Sequence, residues 1–222
     1  DRRFFGAGDF FTQDRKANAI SVRLPQTVRI TAARPFVLNT GRIRDQWHTM
    51  TRSGLSPRLS SHLCEPFCEI HPFDAEILGL EDASLVQIES DAGSILVRAL
   101  ITERQRRGSL FVPMHWSGIQ ASQARVDSLI PSLVDPVSGQ PATKNAAVSI
   151  EAFEAKWQAF AVTSNRPMPN TAYWASARAN SGWRTELAGI TEPDSKEELA
   201  RSLFGLQPDA PVLSYHDGAT GH

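Results

Sequence analysis

The sequence predicts a mainly β protein built on a closed barrel, with short helices and a small α+β appendage at its C-terminal end. Three observations point that way. Short apolar stretches recur between turn signals through the first two thirds of the chain. A single short helical segment interrupts them, too little for the alternating strands and helices of a doubly wound sheet. From about Glu151 the pattern changes to a mixture of strand-like and helix-like segments.

In order along the chain, "AISVRLPQTVRI" (19–30) mixes β-branched and polar residues, but Pro25 limits it to two short strand pieces or an edge. "PFVLNT" reads as a better strand. "PFCEIHPFDAEILGLEDASLVQIE" then gives a strand ending at Ile70, a short helix over Pro72 to Leu78 stopped by Gly79, and a strand over 84–90. The turn "SDAG" leads into "SILVRALIT", a hairpin partner with Ile95, Val97 and Ala99 on one face. A further strand, "SLFVPMHW", begins near Ser109. Beyond Glu151, "EAFEAKWQAFAVTSNRP" and "GWRTELAG" read as a strand pair. "AYWASARA" and "SKEELARSLFG" read as helices, the second capped by Asp194 or Ser195 and stopped by Gly205. The expected organisation is a lead-in segment (1–18) from an upstream domain, a barrel (19–150) and an incomplete α+β extension (151–222).

At 222 residues the chain has room for a sizeable core. Its hydrophobic fraction of 41%, charged fraction of 21% and formal net charge of -1 are those of an ordinary soluble protein without a general nucleic-acid surface. Any anion site must therefore be local. No apolar run approaches the roughly 20 residues that span a bilayer. The start, "DRRFFGAGDFF", lacks an initiating Met and a signal-peptide layout. We therefore expect a cytoplasmic chain, without nucleic-acid or membrane partners, cut from a longer polypeptide.

Most catalytic signatures fail. "GAGDFF" has two glycines of a dinucleotide fingerprint but Phe11 in place of the third, and no βαβ unit follows. Walker, H-E-x-x-H and G-x-S-x-G motifs are missing, so a self-contained hydrolase is not expected. Cys64 and Cys68 lie near His62 and His71 in "HLCEPFCEIH", yet "FCEIHP" reads better as a strand carrying a buried thiol than as a metal site.

What remains is a cradle. "FVLNTGRIRDQWHTMTRSG" starts as a buried strand and continues as a crowd of donors. Backbone N–H groups at Thr40 and Gly41, a glycine that admits a ligand to the main chain, and the fork of Arg42 suit a phosphate. Gln46, His48 and Thr49 add amide, imidazole and hydroxyl groups suited to the edges of a heterocycle. The alternative is a solvated loop around a core Trp47. In "FVPMHWSG", His115 and Trp116 end another strand and read either as part of the same rim or as a capped strand end. "DPVSGQPATK" makes a rigid turn before Lys144, which is either a surface lysine or a reach toward phosphate.

Together these segments resemble the C-terminal molybdopterin-dinucleotide-binding domain of the dimethyl-sulfoxide-reductase family, and within it the assimilatory-type molybdenum nitrate reductases. The resemblance rests on "LNTGRIRDQWHTMTRSG", on "EIHPFDAEILGLEDASLV" as an E-I-x-P-x-D-A-x-x-x-G-L-x-D-x-x-x-V pattern, on "LFVPMHWSG" and on "DPVSGQPATKNAAVSI". These cover about residues 35–150. "FFTQDRKANAI" is similar to the family's F-x-T-P-x-G-x-A-x-F lead-in, with Gln13 and Lys16 replacing the usual Pro and Gly. The family's relatives generally lack the two cysteines.

The resemblance implies a six-stranded double-psi β-barrel, like that of aspartate decarboxylase, closing over bis-molybdopterin guanine dinucleotide with molybdenum. It implies that Asn39, Thr40, Gly41 and Arg42 contact pterin and phosphate, that Gln46, His48 and Thr49 face the second pterin, and that His115, Trp116 and Lys144 complete the rim. It places the iron-sulfur cluster and the metal ligand in an upstream part. This chain alone would then be inactive, while the whole enzyme would reduce nitrate to nitrite with electrons from a donor protein or subunit. Another oxidoreductase of the family, such as a formate dehydrogenase, and a noncatalytic nucleotide- or partner-binding barrel are the alternatives.

Overall fold

The computed structural model describes residues 3–21, 29–215 and 217. Among them, six strands close a barrel: β1 (Phe36–Gly41), β2 (Phe67–Ile70), β3 (Leu85–Glu89), β4 (Ser94–Ile101), β5 (Ser109–Pro113) and β6 (Ala146–Ala152). Around the barrel the order is β1-β5-β2-β4-β3-β6. The pairs β1/β5 and β2/β4 are parallel, and the other four are antiparallel. Exchanging β1 with β4, β2 with β5 and β3 with β6 leaves this pairing map unchanged. Two three-stranded halves therefore interlock across a pseudo-twofold axis, which is the expected double-psi barrel. The two strand pieces expected over 19–30 fall largely outside the described residues.

Period-two alternation fills the interior. In β1, Phe36, Leu38 and Thr40 point inward, and in β5 Leu110 and Val112 do the same. Leu38, Val97, Leu110 and Val148 are sealed from solvent; each such side chain contributes about 1.5 to 3 kcal/mol of burial. Ile95, Val97 and Ala99 are buried as expected. Leu96 on the opposite face is buried too, because its backbone N–H donates to the Gln123 carbonyl in a segment that covers the barrel.

Helix α1 (Pro57–Ser60) is one turn. Helix α2 (Pro72–Leu78) has its expected bounds: Pro72 opens it, the His71 ring accepts from the Phe73 N–H, and Gly79 closes it in the left-handed region. Cys68 lies in β2, fully buried, and burial pushes its thiol well above the ordinary range. No helix among the described residues is long and apolar enough to cross a membrane.

Strand β6 runs on to Ala152, two residues past the expected boundary. Beyond it, β7 (Trp157–Thr163), β8 (Tyr173–Ala179) and β9 (Gly182–Gly189) form a sheet of order β7-β9-β8. Helix α3 (Lys196–Phe204) follows, with the Ser195 hydroxyl accepting from the Glu198 N–H and Gly205 as its left-handed stop. The β7/β9 pairing matches the expected strand pair. The helix expected over "AYWASARA" does not form: this segment is β8, paired along its length with β9. Alanine's helix preference is outweighed because Tyr173 to Ala177 are all buried, and as a strand the segment pairs along one edge with β9 and at the other with Ala121.

The appendage is tied to the barrel. Tyr173 and Ala175 join the barrel's apolar core. The Tyr173 hydroxyl donates to Glu65 Oε2 at 2.7 Å, and Arg98 Nε donates to the same oxygen at 2.9 Å. Burial works against the charge on Arg98, but the hydrogen bond and charge of Glu65 more than offset it.

Candidate functional site

The end of β1 is built by three segments. Parallel pairing sets Asn39 beside Phe111 and Gly41 beside Pro113. The Thr40 hydroxyl donates to the Thr143 carbonyl at 2.8 Å, and Lys144 Nζ donates to the Thr40 carbonyl. Lys144 is thereby drawn from the "DPVSGQPATK" turn onto β1. That turn is rigid: Asp135 Oδ1 accepts from the Ser138 N–H, the Ser138 hydroxyl and the Val137 N–H. The Ser138 hydrogen bonds and then that of Val137 hold the Asp135 carboxyl below its usual range.

Gly41 keeps a narrow space open. A Cβ there would lie 3.0 Å from the Phe111 ring and 3.6 Å from Lys144 Nζ. The missing side chain leaves main chain, aromatic ring and ammonium side by side, a cradle a methyl group would fill.

After Gly41 the chain leaves the barrel as a loop braced at several points. Asp45 takes two hydrogen bonds from Arg44, and its Oδ2 lies 2.8 Å from His62 Nδ1. The Arg44 bonds, then that of His62, hold the Asp45 carboxyl below its ordinary value. Gln46 is buried, its Oε1 accepting from the Ser53 hydroxyl at 2.8 Å. His48 and Met50 adopt φ of 45° and 60°, a left-handed conformation uncommon for non-glycine residues. The loop thus turns sharply twice, which buries Met50 and leaves His48 and Thr49 exposed.

His115 explains how those turns are held. It is fully buried, its Nε2 accepts from the Ile43 N–H at 2.9 Å, and its Nδ1 lies 2.6 Å from the His48 carbonyl. Only the neutral tautomer with the proton on Nδ1 satisfies both contacts. Burial pulls its pKa below the ordinary 6.5, against the opposing hydrogen bond to His48.

The expected site residues therefore divide. Asn39, Gly41, Arg42, His48, Thr49 and Lys144 come together at one end of the barrel, all at least partly open to solvent. Thr40 and Gln46 are inward braces. His115 and Trp116, expected on the rim, lie beneath it: both imidazole nitrogens face main-chain groups, and Trp116 packs edge-on against Phe67. Sequence reasoning placed Trp47 in the core under the solvated-loop alternative. Instead it is 62% exposed, with the Arg42 guanidinium 5.2 Å above its ring and the His48 ring against it edge-on. Its polar neighbours on both sides were the available signal.

The shelf so formed offers two cations, Arg42 and Lys144, without carboxylate partners among the described residues. Beside them lie an amide, a hydroxyl and a flat exposed ring. This is the donor set for an extended phosphorylated ligand with a heterocyclic part. The structure thus defines a class: a double-psi barrel with a cationic and aromatic shelf at one strand end, able to cradle a phosphorylated ligand.

Comparison with known proteins gives the class its family. Residues 36–147, just over half of the chain, match the molydopterin dinucleotide binding domain, and the chain belongs to that family. It is 41% identical over 182 residues to a nitrate reductase of Klebsiella oxytoca, covering 81% of this chain and 21% of that protein. With the assimilatory nitrate reductase catalytic subunit of Bacillus subtilis it shares 37% identity over 155 residues, 65% of this chain and 21% of the relative. It is also 37% identical over 117 residues to the F420-dependent formate dehydrogenase subunit alpha of Methanocaldococcus jannaschii, covering 53% of this chain and 17% of that subunit. The chain spans about a fifth of the length of the nitrate reductases it matches.

Proposed function

We propose that this chain is the cofactor-binding C-terminal part of a molybdenum nitrate reductase, and that it holds the guanine dinucleotide form of molybdopterin on the shelf at the end of β1. The observation that carries the reading is a pair of cations at the end of β1 without carboxylate partners among the described residues: Lys144 beside Gly41 on the Thr40 carbonyl, and Arg42 over the exposed Trp47 ring. The residues fit the group. Arg42 and Lys144 supply charge-assisted donors to phosphate, and each such bond is worth about 1.5 to 3 kcal/mol. Gly41 admits the ligand to the main chain, while His48 and Thr49 turn polar edges toward the heterocycle.

In this reading the bound group supplies oxygen-atom transfer from nitrate to give nitrite. This chain's own residues bind and orient. The fork of Arg42 fixes the phosphates, and Trp47 keeps that guanidinium flat and outward. His115 stays neutral beneath the loop and holds it in place, without donating a proton to substrate. The iron-sulfur cluster, the metal ligand and the docking site for an electron donor would lie in the upstream part of the polypeptide, and this chain alone would not turn over.

Support for nitrate over other substrates comes from the greater chain coverage of the nitrate reductase matches. The second reading, the same domain of a formate dehydrogenase, is favoured by the match to the Methanocaldococcus subunit. One experiment separates them. The full-length polypeptide, purified with its cofactor, is assayed for nitrate-dependent oxidation of a reduced dye and for formate-dependent reduction of an oxidised one. The proposal expects the first activity alone, and the second activity alone overturns it.

A further inference from the structure

The loop that carries His48 and Thr49 is held at two consecutive carbonyls, and the second holder is Gln120. Its Nε2 donates to the Thr49 carbonyl at 3.3 Å, and its Oε1 accepts from the Ser117 hydroxyl at 2.9 Å and the Ser117 N–H at 3.4 Å. These contacts define the amide's orientation, since both Ser117 groups donate to the oxygen while the Thr49 carbonyl can only accept. Gln120 is buried, so water competes poorly for these bonds.

The main chain of Gln120, between β5 and β6, pairs with the appendage. Its carbonyl accepts from the Ser176 N–H at 2.7 Å, Ala121 bridges Ala175, and the Ser122 N–H donates to the Trp174 carbonyl at 2.9 Å. The segment 120–122 thus runs along the outer edge of β8 as a short added strand. One residue joins two bodies: its backbone is fixed by the three-stranded sheet, and its side chain reaches the cofactor shelf. The carbonyl it holds lies between the left-handed residues His48 and Met50. Such a conformation persists only when its surroundings impose it.

We propose that Gln120 is a positioning residue for cofactor binding, through which the three-stranded sheet sets the arrangement of the His48–Thr49 loop against a phosphorylated pterin. The inference rests on the proposed cofactor reading. It gives the appendage a role that its own surface does not reveal: β8 is the template on which the second clamp of the loop is built. His115 clamps the His48 carbonyl from the barrel side, and Gln120 clamps the Thr49 carbonyl from the appendage side.

The test uses the full-length polypeptide as wild type, Gln120→Glu and Gln120→Met. Cofactor retention is followed as pterin per polypeptide during dilution, and exchange of the loop amides is measured by mass spectrometry. In Gln120→Glu the ionised carboxylate keeps the acceptor for Ser117 but repels the Thr49 carbonyl, whereas the protonated carboxyl donates to it. We expect Gln120→Glu to release pterin about tenfold faster than wild type near pH 8, as loss of one buried hydrogen bond implies. The ratio to wild type should narrow as pH falls and the carboxyl regains its proton, while Gln120→Met releases faster at every pH. Exchange should rise over residues 46–54 and remain unchanged in β3 and β4. Both variants releasing pterin at the wild-type rate, or a Gln120→Glu ratio independent of pH, overturns the inference while leaving the cofactor reading intact. Wild type that purifies without pterin and binds none when given it overturns both.

Discussion

At the scale of single residues, the pair expected on the rim, His115 and Trp116, is buried, while Trp47, in the core only under the solvated-loop alternative, is exposed. "QWH" and "HW" offer the same side chains, yet Trp47 lies on the shelf under Arg42 while Trp116 lies against Phe67 in the core. Composition could not separate them, because burial of a ring is decided by which way the chain turns after its strand. His115 carries a testable consequence. Folding favours its neutral ring, so the folded pKa lies below the ordinary 6.5. Below that value the unfolded chain takes up a proton that the folded chain refuses, and above it both states are neutral. Thermal stability should therefore be flat in this contribution from pH 8 to 7 and fall as pH drops below 6.5. A His115→Asn variant, whose amide can donate to the His48 carbonyl but does not titrate, should be less stable at pH 8 and show a shallower fall, measured as melting temperature against pH.

At the scale of elements, legibility follows how local the determining interactions are. Helix α2 has its Pro start, His71 cap and Gly79 stop within nine residues, and the sequence defines both its ends. Strands β3 and β4 are joined by a tight turn and show through their apolar pattern. Strand β8 does not, although a two-residue turn joins it to β9: its alanines favour a helix locally, and its other edge is paired by the distant 120–122 segment. The shelf was partly legible for the same reason. Asn39 to Thr49 are contiguous, but the arrival of Lys144 and the clamps from residues 115 and 120 depend on long-range folding. Gly182, at the start of β9, tests the close packing of β9 on the end of β7. A Cβ there would collide with the Thr163 carbonyl oxygen, a backbone atom that cannot move aside cheaply. Gly182→Ala should cost about 3 kcal/mol, the upper end of ordinary overpacking, read from the denaturant midpoint. An unchanged midpoint would contradict this packing.

At the scale of the whole molecule, the Glu65 contacts join barrel and appendage alongside the shared apolar core and the pairing of segment 120–122 with β8. Glu65→Ala leaves Arg98 and the buried Tyr173 hydroxyl short of an acceptor, and should cost about 2 to 4 kcal/mol given that the ion pair is only partly shielded. Glu65→Gln, which keeps an acceptor, should cost less than half as much. A single unfolding transition in wild type that splits into two in Glu65→Ala would locate the coupling at this contact. The grip of the β1 end on the phosphates of a molybdopterin dinucleotide underlies the whole functional reading. It is examined by titrating that dinucleotide, released from a purified molybdoenzyme, into the full-length polypeptide stripped of cofactor, as wild type and as the Arg42→Ala/Lys144→Ala double variant. Affinity at least tenfold weaker is expected in the double variant, with the melting temperature lowered only modestly, because both side chains are exposed and the lost contacts are the Lys144 bond to Thr40 and the Arg42 stack on Trp47. Equal affinity in the two proteins would contradict such a grip.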